Sequence, residues 1–278
     1  MADHAYRLVN VFALDGDRLS GNPLCVFEDA AGLDDGTMQA LARQFNLSET
    51  TFVTSRSPGG ASARIFTPAF EMPFAGHPTL GTAHVVRALA GGGDRVALSL
   101  PVGVVPVVAA GDEWTLEARA PRRRELDAST GELGAMLALV PGDVADGACW
   151  IDTGSEQLLV PLRSADAVRR AVPVPALLPR SPSGNVLVYA FAEDGDAVVA
   201  RFFFSGATGI AEDPATGSAC ANLGGWHVAR RAPLPLVRVV RQGDAVGRPS
   251  RLRLDVDAAA RIFVTGCVIE LGRGVVRL

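Results

Sequence analysis

Glu49 is the residue of this chain best set to move a proton. It lies in Asn46-Leu47-Ser48-Glu49-Thr50-Thr51-Phe52-Val53, where a helical pattern gives way to a strand pattern. A carboxyl at such a junction, beside apolar residues, holds its proton more tightly through desolvation, which suits general acid/base work. A plain surface glutamate is the ordinary alternative. Glu71, in Glu71-Met72-Pro73, competes for the role but reads better as the structural partner of an arginine.

Two loops could hold an anion. Gly76-His77-Pro78-Thr79-Leu80-Gly81-Thr82-Ala83 and Glu212-Asp213-Pro214-Ala215-Thr216-Gly217-Ser218-Ala219 share the pattern X-Pro-x-x-Gly-(Ser/Thr)-Ala, 136 residues apart. Arg64-Ile65-Phe66 and Arg201-Phe202-Phe203 precede them, 137 residues apart. Proline is expected at the first position of a helix in each loop, because the amide it lacks has no helical partner there. That expectation puts His77 and Asp213 at or beside the two N-caps. Gly76 and Gly217 would let the backbone approach a ligand closely. A helix start offers N–H groups and the positive end of the dipole, which favour a carboxylate or a developing enolate. The same residue types also serve as simple caps. Repeated in two halves, with different polar residues at the same place, they favour a ligand cleft.

The elements that must position these residues are mostly short strands. Runs at 5–13, 23–29, 49–55, 61–67 and 95–100 are β-branched, aromatic or alternating, with Gly, Pro and Asp between them. A second set falls at 148–153, 156–162, 184–192, 197–204, 236–241, 250–256 and 260–265. Residues 34–45 carry apolar side chains at 38, 41, 42 and 45, a helical period. Residues 79–90 and 215–231 are small and apolar on every side, as in a buried helix. The internal repeat and the two buried helices predict an α+β chain of two equivalent halves. The polar stretch 121–131 marks the linker, giving domains 1–122 and 123–265, with 266–278 as a strand that could return to the first.

Composition narrows the chemistry. The chain has 278 residues, 48% of them hydrophobic, with a net charge of −4. The apolar content excludes disorder as the main state, and the acidic balance argues against nucleic acid as a partner. Arg122-Arg123-Arg124 reads as a solvated loop. All 26 basic residues are arginine, so no lysine Schiff base and no P-loop lysine can form on this chain. The first residues show no apolar run behind a basic patch, so no signal peptide is expected. The longest apolar stretches, such as 104–110, are about half a membrane span, and no membrane partner is expected. Cys25, Cys149, Cys220 and Cys267 form no CxxC pair and read as buried free thiols of a cytoplasmic protein. The four histidines show no metal-ligand spacing.

The segments NLSETTFV, RIFTPAFEMPFAGHPTLGTA, ARFFFSGATGIAEDPATGSA and QGDAVGRPSRL resemble the signature segments of the PhzF phenazine-biosynthesis-like family, in order and spacing, over nearly the whole chain. The resemblance implies a diaminopimelate epimerase-like fold: two pseudo-symmetric domains, each a curled sheet or barrel around a central helix. It implies a cofactor-independent isomerase of the trans-2,3-dihydro-3-hydroxyanthranilate type, and a homodimer. A glutamate moves a proton from C3 to C1 of the substrate, and by motif that glutamate is Glu49. His77 and Asp213 would orient the substrate's amino and hydroxyl groups and assist proton transfer. Ser218 and the amides of Gly76 and Gly217 would hold its carboxylate. Other family members act in antibiotic pathways, including on pyrroline precursors of alkylproline units. The related epimerases and racemases use two cysteines at helix starts. Here Ala75 and Glu212-Asp213-Pro214 stand in those loops, and Cys220 reads as about two turns inside its helix. The alternatives are a binding protein that kept the fold and an amino-acid epimerase using carboxylates.

Overall fold

The computed structural model describes residues 2–206 and 209–278. Ala207 and Thr208, within the segment ARFFFSGATGIAEDPATGSA, lie outside the described residues. The chain divides into two units, Met1–Glu117 with Thr265–Leu278, and Ala118–Val264.

The first unit contains β1 (Asp3–Val11), β2 (Asn22–Phe27), α1 (Asp35–Phe45), β3 (Glu49–Ser57), β4 (Gly60–Phe66) and β5 (Glu71–Met72). It continues through α2 (Gly76–Ala90), β6 (Arg95–Leu100), β7 (Gly103–Ala110) and β8 (Glu113–Glu117). The second unit holds β9 (Arg122–Glu125), α3 (Thr130–Met136), β10 (Cys149–Asp152), β11 (Glu156–Pro161), α4 (Ala165–Arg170) and β12 (Leu187–Asp194). After these come β13 (Ala197–Gly206), β14 (Gly209–Asp213), α5 (Gly217–Ala229), β15 (Leu236–Gln242) and β16 (Ser250–Val256). The last strand, β17 (Ile262–Arg277), starts in the second unit and ends in the first.

In the first unit, β17, β1, β2, β3, β4, β6, β7 and β8 pair in that order, and β8 pairs back to β17. The result is a closed barrel of eight strands. The pairing directions run antiparallel, antiparallel, parallel, antiparallel, parallel, antiparallel from β17–β1 to β6–β7. The second unit repeats that succession from β9–β10 to β15–β16. Strand pairing therefore bears out the duplication read from the letters.

Each unit is organised on one buried helix. Helix α2 buries every residue from His77 to Ala83, and α5 buries Ala219 to His227. Neither has a polar stripe to offer water, so the surrounding strands must cover all sides. Gly81 shows how close that cover lies: a Cβ there would sit 2.6 Å from Leu24 Cδ2. On α5, a Cβ on Gly224 would sit 2.9 Å from both Leu254 Cδ1 and Ile262 Cγ2. By contrast α1 is amphipathic, burying Met38, Leu41 and Ala42, with Asp34 capping its start and Asn46 ending it in the left-handed region.

Two expectations change. Arg122-Arg123-Arg124 is strand β9, not a loop, because its backbone pairs with β10 while its side chains stay in solvent. Arg124 lies over the Trp150 ring and pairs with Glu156. Cys267 is half-buried, whereas the other three free cysteines are buried. Among the described residues, no helix is long and apolar enough to cross a membrane.

Candidate active site

The six predicted residues divide between the units. Glu49, Gly76 and His77 belong to the first; Asp213, Gly217 and Ser218 belong to the second.

In the first unit, the left-handed turn at Asn46 ends α1 and delivers Glu49 as the first residue of β3. His77 is the second residue of α2, directly after Gly76. The structure brings the two side chains together: Glu49 Oε2 lies 3.4 Å from His77 Nε2, with side chains only 15% and 6% exposed. The other side of the ring meets residues 22–23. Nδ1 is 3.5 Å from Asn22 Nδ2, and the Pro23 backbone accepts a hydrogen bond from the imidazole. Burial pulls the His77 pKa down to about 3, against the opposing pull of the Pro23 bond. The ring is neutral at pH 7. With its hydrogen on the Pro23 side, Nε2 presents a lone pair to Glu49.

This buried imidazole makes stability depend on pH. The unfolded chain protonates His77 below about pH 6.5, whereas the folded chain does so only near 3. Between those values the unfolded state binds more protons, so stability is full above 6.5 and is lost as the pH falls toward 3. The wild type should lose stability in this window more steeply than His77→Gln, by on the order of 1 kcal/mol per pH unit. Urea titrations of both proteins at several pH values measure the difference.

In the second unit the start of α5 is built differently from an ordinary helix start. The N-cap residue is Thr216, a good capping type, yet it makes no side-chain cap. Its Oγ1 instead donates to Asp213 Oδ2 at 2.6 Å. Buried Gln242 holds this turn, with Nε2 donating to Asp213 O at 2.8 Å and to Thr216 Oγ1 at 3.0 Å, while Oε1 accepts from Thr216 N. The adjoining Gly243 sits where a Cβ would lie 2.5 Å from the Pro214 carbonyl oxygen. Ser218 Oγ accepts from Gln157 Nε2 at 2.8 Å. Helix α2 also lacks a side-chain cap, its N-cap being Ala75. The peripheral helices α1, α3 and α4 are all capped, by Asp34, Ser129 and Ser164. Only the two buried helices leave their first-turn amides uncapped by side chains among the five α-helices described, as an anion site needs.

The expected position of the prolines is corrected. The helices open at Gly76 and Gly217, so Pro78 is the third helical residue and Pro214 precedes its helix. Proline is tolerated throughout a first turn, since none of those amides has an intrahelical partner, and the letters could not fix which position it took. His77 and Asp213 are therefore not equivalent. Phe66 pairs with Glu71 and Ile65 with Met72, as Phe203 pairs with Glu212 and Phe202 with Asp213. Asp213 thus corresponds to Met72, and His77 corresponds to Ser218. Glu71 binds Arg64, and Glu212 binds Arg201 in the same way, so Glu71 is structural as expected. Cys220 is the fourth residue of α5, one turn in rather than two, and burial pushes its thiol well up.

Sequence reasoning missed Asn22, Gln157, Thr216, Asn222 and Gln242. Gln242 opens the segment QGDAVGRPSRL, but its polarity inside a strand pattern was the only signal. Gln157 and Asn222 sit in apolar runs and bond across long sequence separations.

The family model described as phenazine biosynthesis-like protein matches residues 9–274. An uncharacterized isomerase of Pasteurella multocida is 40% identical over 99% of this chain and 94% of that protein. A trans-2,3-dihydro-3-hydroxyanthranilate isomerase of Pseudomonas fluorescens is 33% identical over 99% of this chain and 100% of its own. Among solved structures, a predicted epimerase of Pseudomonas aeruginosa superposes with a TM-score of 0.84 at 32% identity, covering 99% of both chains. A probable proline racemase of Agrobacterium radiobacter shares the fold, with a TM-score of 0.64 at 13% identity over 99% of this chain and 93% of that one. The fold is the diaminopimelate epimerase-like one.

Proposed function

The chain belongs to the phenazine biosynthesis-like family and is an isomerase, and from that premise we propose that it moves a proton within a small unsaturated amino or imino acid, with Glu49 as the carrier. The observation that supports this most is the Glu49–His77 contact of 3.4 Å, a half-buried carboxyl facing the lone pair of a neutral imidazole. A proton on Glu49 Oε2 can rest against Nε2, and the carboxylate is regenerated when that proton leaves for carbon. In the trans-2,3-dihydro-3-hydroxyanthranilate reading, the Glu49 carboxylate takes the proton as the C3–H bond breaks. The electron pair moves through the ring, and Glu49 returns the same proton to C1. The product is an enol that becomes a ketone, with no net gain or loss of protons. Ser218 and the amides of Gly76 and Gly217 are assigned to the substrate's carboxylate, while His77 and Asp213 orient its amino and hydroxyl groups.

The asymmetry of the duplication supports a single carrier rather than a two-base epimerase. Thr51 pairs with Ile65 as Tyr189 pairs with Phe202, so the position of Glu49 is held by Leu187 in the second unit. A role in specialised or antibiotic metabolism, a cytoplasmic setting and a homodimeric state belong to this same reading. Incubation of the protein with trans-2,3-dihydro-3-hydroxyanthranilate in heavy water, followed by NMR, is the test. Consumption with protium or deuterium appearing at C1 is expected; an unchanged substrate spectrum, with a pyrroline acid also unchanged, would sink the proposal.

A further inference from the structure

Ser218 is the end of a hydrogen-bond chain whose direction is fixed by the backbone. Thr153 N, which can only donate, lies 2.9 Å from Asn222 Oδ1. The Ser155 carbonyl, which can only accept, lies 2.9 Å from Asn222 Nδ2. Turning the Asn222 amide over would set N–H against N–H and oxygen against oxygen, so its orientation is determined. Asn222 Nδ2 then donates its second hydrogen to Gln157 Oε1 at 2.8 Å. That makes Gln157 Nε2 the donor to Ser218 Oγ at 2.8 Å. Gln157 is 2% exposed and Asn222 0%, so water does not compete for these bonds. The serine hydroxyl, holding a donor on its oxygen, must send its own hydrogen elsewhere.

We infer that Gln157, locked by Asn222, is a positioning residue that makes Ser218 an obligate donor toward ligand, so that the start of α5 selects a carboxylate and rejects an ammonium group. This rests on the assignment of Ser218 to substrate proposed above. The first-turn amides of α5 are donors too, so hydroxyl and backbone present the same polarity to the ligand.

Neutron diffraction from crystals grown in heavy water tests the relay without any ligand. A deuteron on Gln157 Nε2 aimed at Ser218 Oγ, with the serine deuteron turned away, is expected; a serine deuteron aimed at Gln157 overturns the inference. A binding cycle tests its consequence, with 3-hydroxyanthranilate as the probe in calorimetry. In Gln157→Glu the new carboxylate oxygen would draw the serine hydrogen to itself. Affinity should fall about 10- to 100-fold, the factor for a hydrogen bond to a charged group. In a Ser218→Ala background the same substitution should cost less than about threefold, because there is no serine left to turn. Equal losses in both backgrounds would mean that Gln157 acts by charge or by fold, and would overturn the inference. If the wild type fails to bind the probe while the neutron map shows the expected deuterons, the substrate assignment falls and the relay stands.

Discussion

Glu49→Gln folds as the wild type does, still binds a substrate-like acid, and loses turnover by about 10²–10⁴-fold. The amide is isosteric with the carboxyl, and its N–H can face His77 Nε2 across the 3.4 Å contact, so the local packing survives. What the amide cannot do is accept a proton from carbon and return it. The loss therefore falls on kcat, and hydrogen, whether protium or deuterium, no longer appears at C1 in heavy water. Stopped turnover with unchanged ligand affinity is the signature of a group that acts in the transition state rather than in binding. Turnover within threefold of wild type would remove Glu49 from the reaction, and with it the proposed function.

The position of this glutamate was legible because it stands where two periodicities meet. The helical spacing of Met38, Leu41 and Ala42 stops at Phe45, and the strand pattern begins at Glu49 itself. The strands read from the sequence likewise carry strong β-branched or aromatic patterns. Strands that were not read show why patterning fails. β7 is a uniform apolar run interrupted by Pro106, and β9 is four exposed charged residues with no alternation, placed in the sheet by its backbone pairing with β10. The duplication was legible in outline but not in register. Gly81-Thr82-Ala83 and Gly217-Ser218-Ala219 match as letters, yet Gly81 lies mid-helix against Leu24 while Gly217 opens its helix. The strand register instead aligns Glu71 with Glu212, an offset of 141, against 137 for Arg64 and Arg201. The difference of four residues arises because β13 and β14 go on pairing beyond Phe203 and Glu212 as far as Gly206 and Gly209, whereas β4 and β5 end at Phe66 and Glu71. The buried amides that orient Ser218 and Asp213 had no local signature, since each partner lies between 26 and 69 residues away apart from those in the turn itself.

That repeated ion pair predicts unequal effects from equivalent substitutions. Arg201 binds Glu212 through Nε and Nη2, with side chains 15% and 9% exposed, and Nη1 reaches the carbonyls at the end of α4, including Ala171 O. Its guanidinium also lies 4.9 Å from the Phe203 ring centroid. Arg64 makes the same contacts with Glu71 and Phe66, and its Nη1 donates to the exposed Asp35 rather than to carbonyls, but its pair with Glu71 is 26% and 31% exposed. Removing one partner of a buried pair leaves the other uncompensated in a poorly solvated place, at a cost of about 3–5 kcal/mol. Doing so at a more exposed pair leaves a charge that water can reach, at a cost of about 1 kcal/mol. Arg201→Met should therefore destabilise the protein several times more than Arg64→Met in urea denaturation. Because Glu212 adjoins Asp213 and the uncapped start of α5, Arg201→Met should also weaken binding of a carboxylate ligand at temperatures where the variant remains folded. Equal destabilisation by the two substitutions would show that burial does not set the strength of this repeated pair, and that the second unit gains nothing from the tighter seat it gives to its arginine.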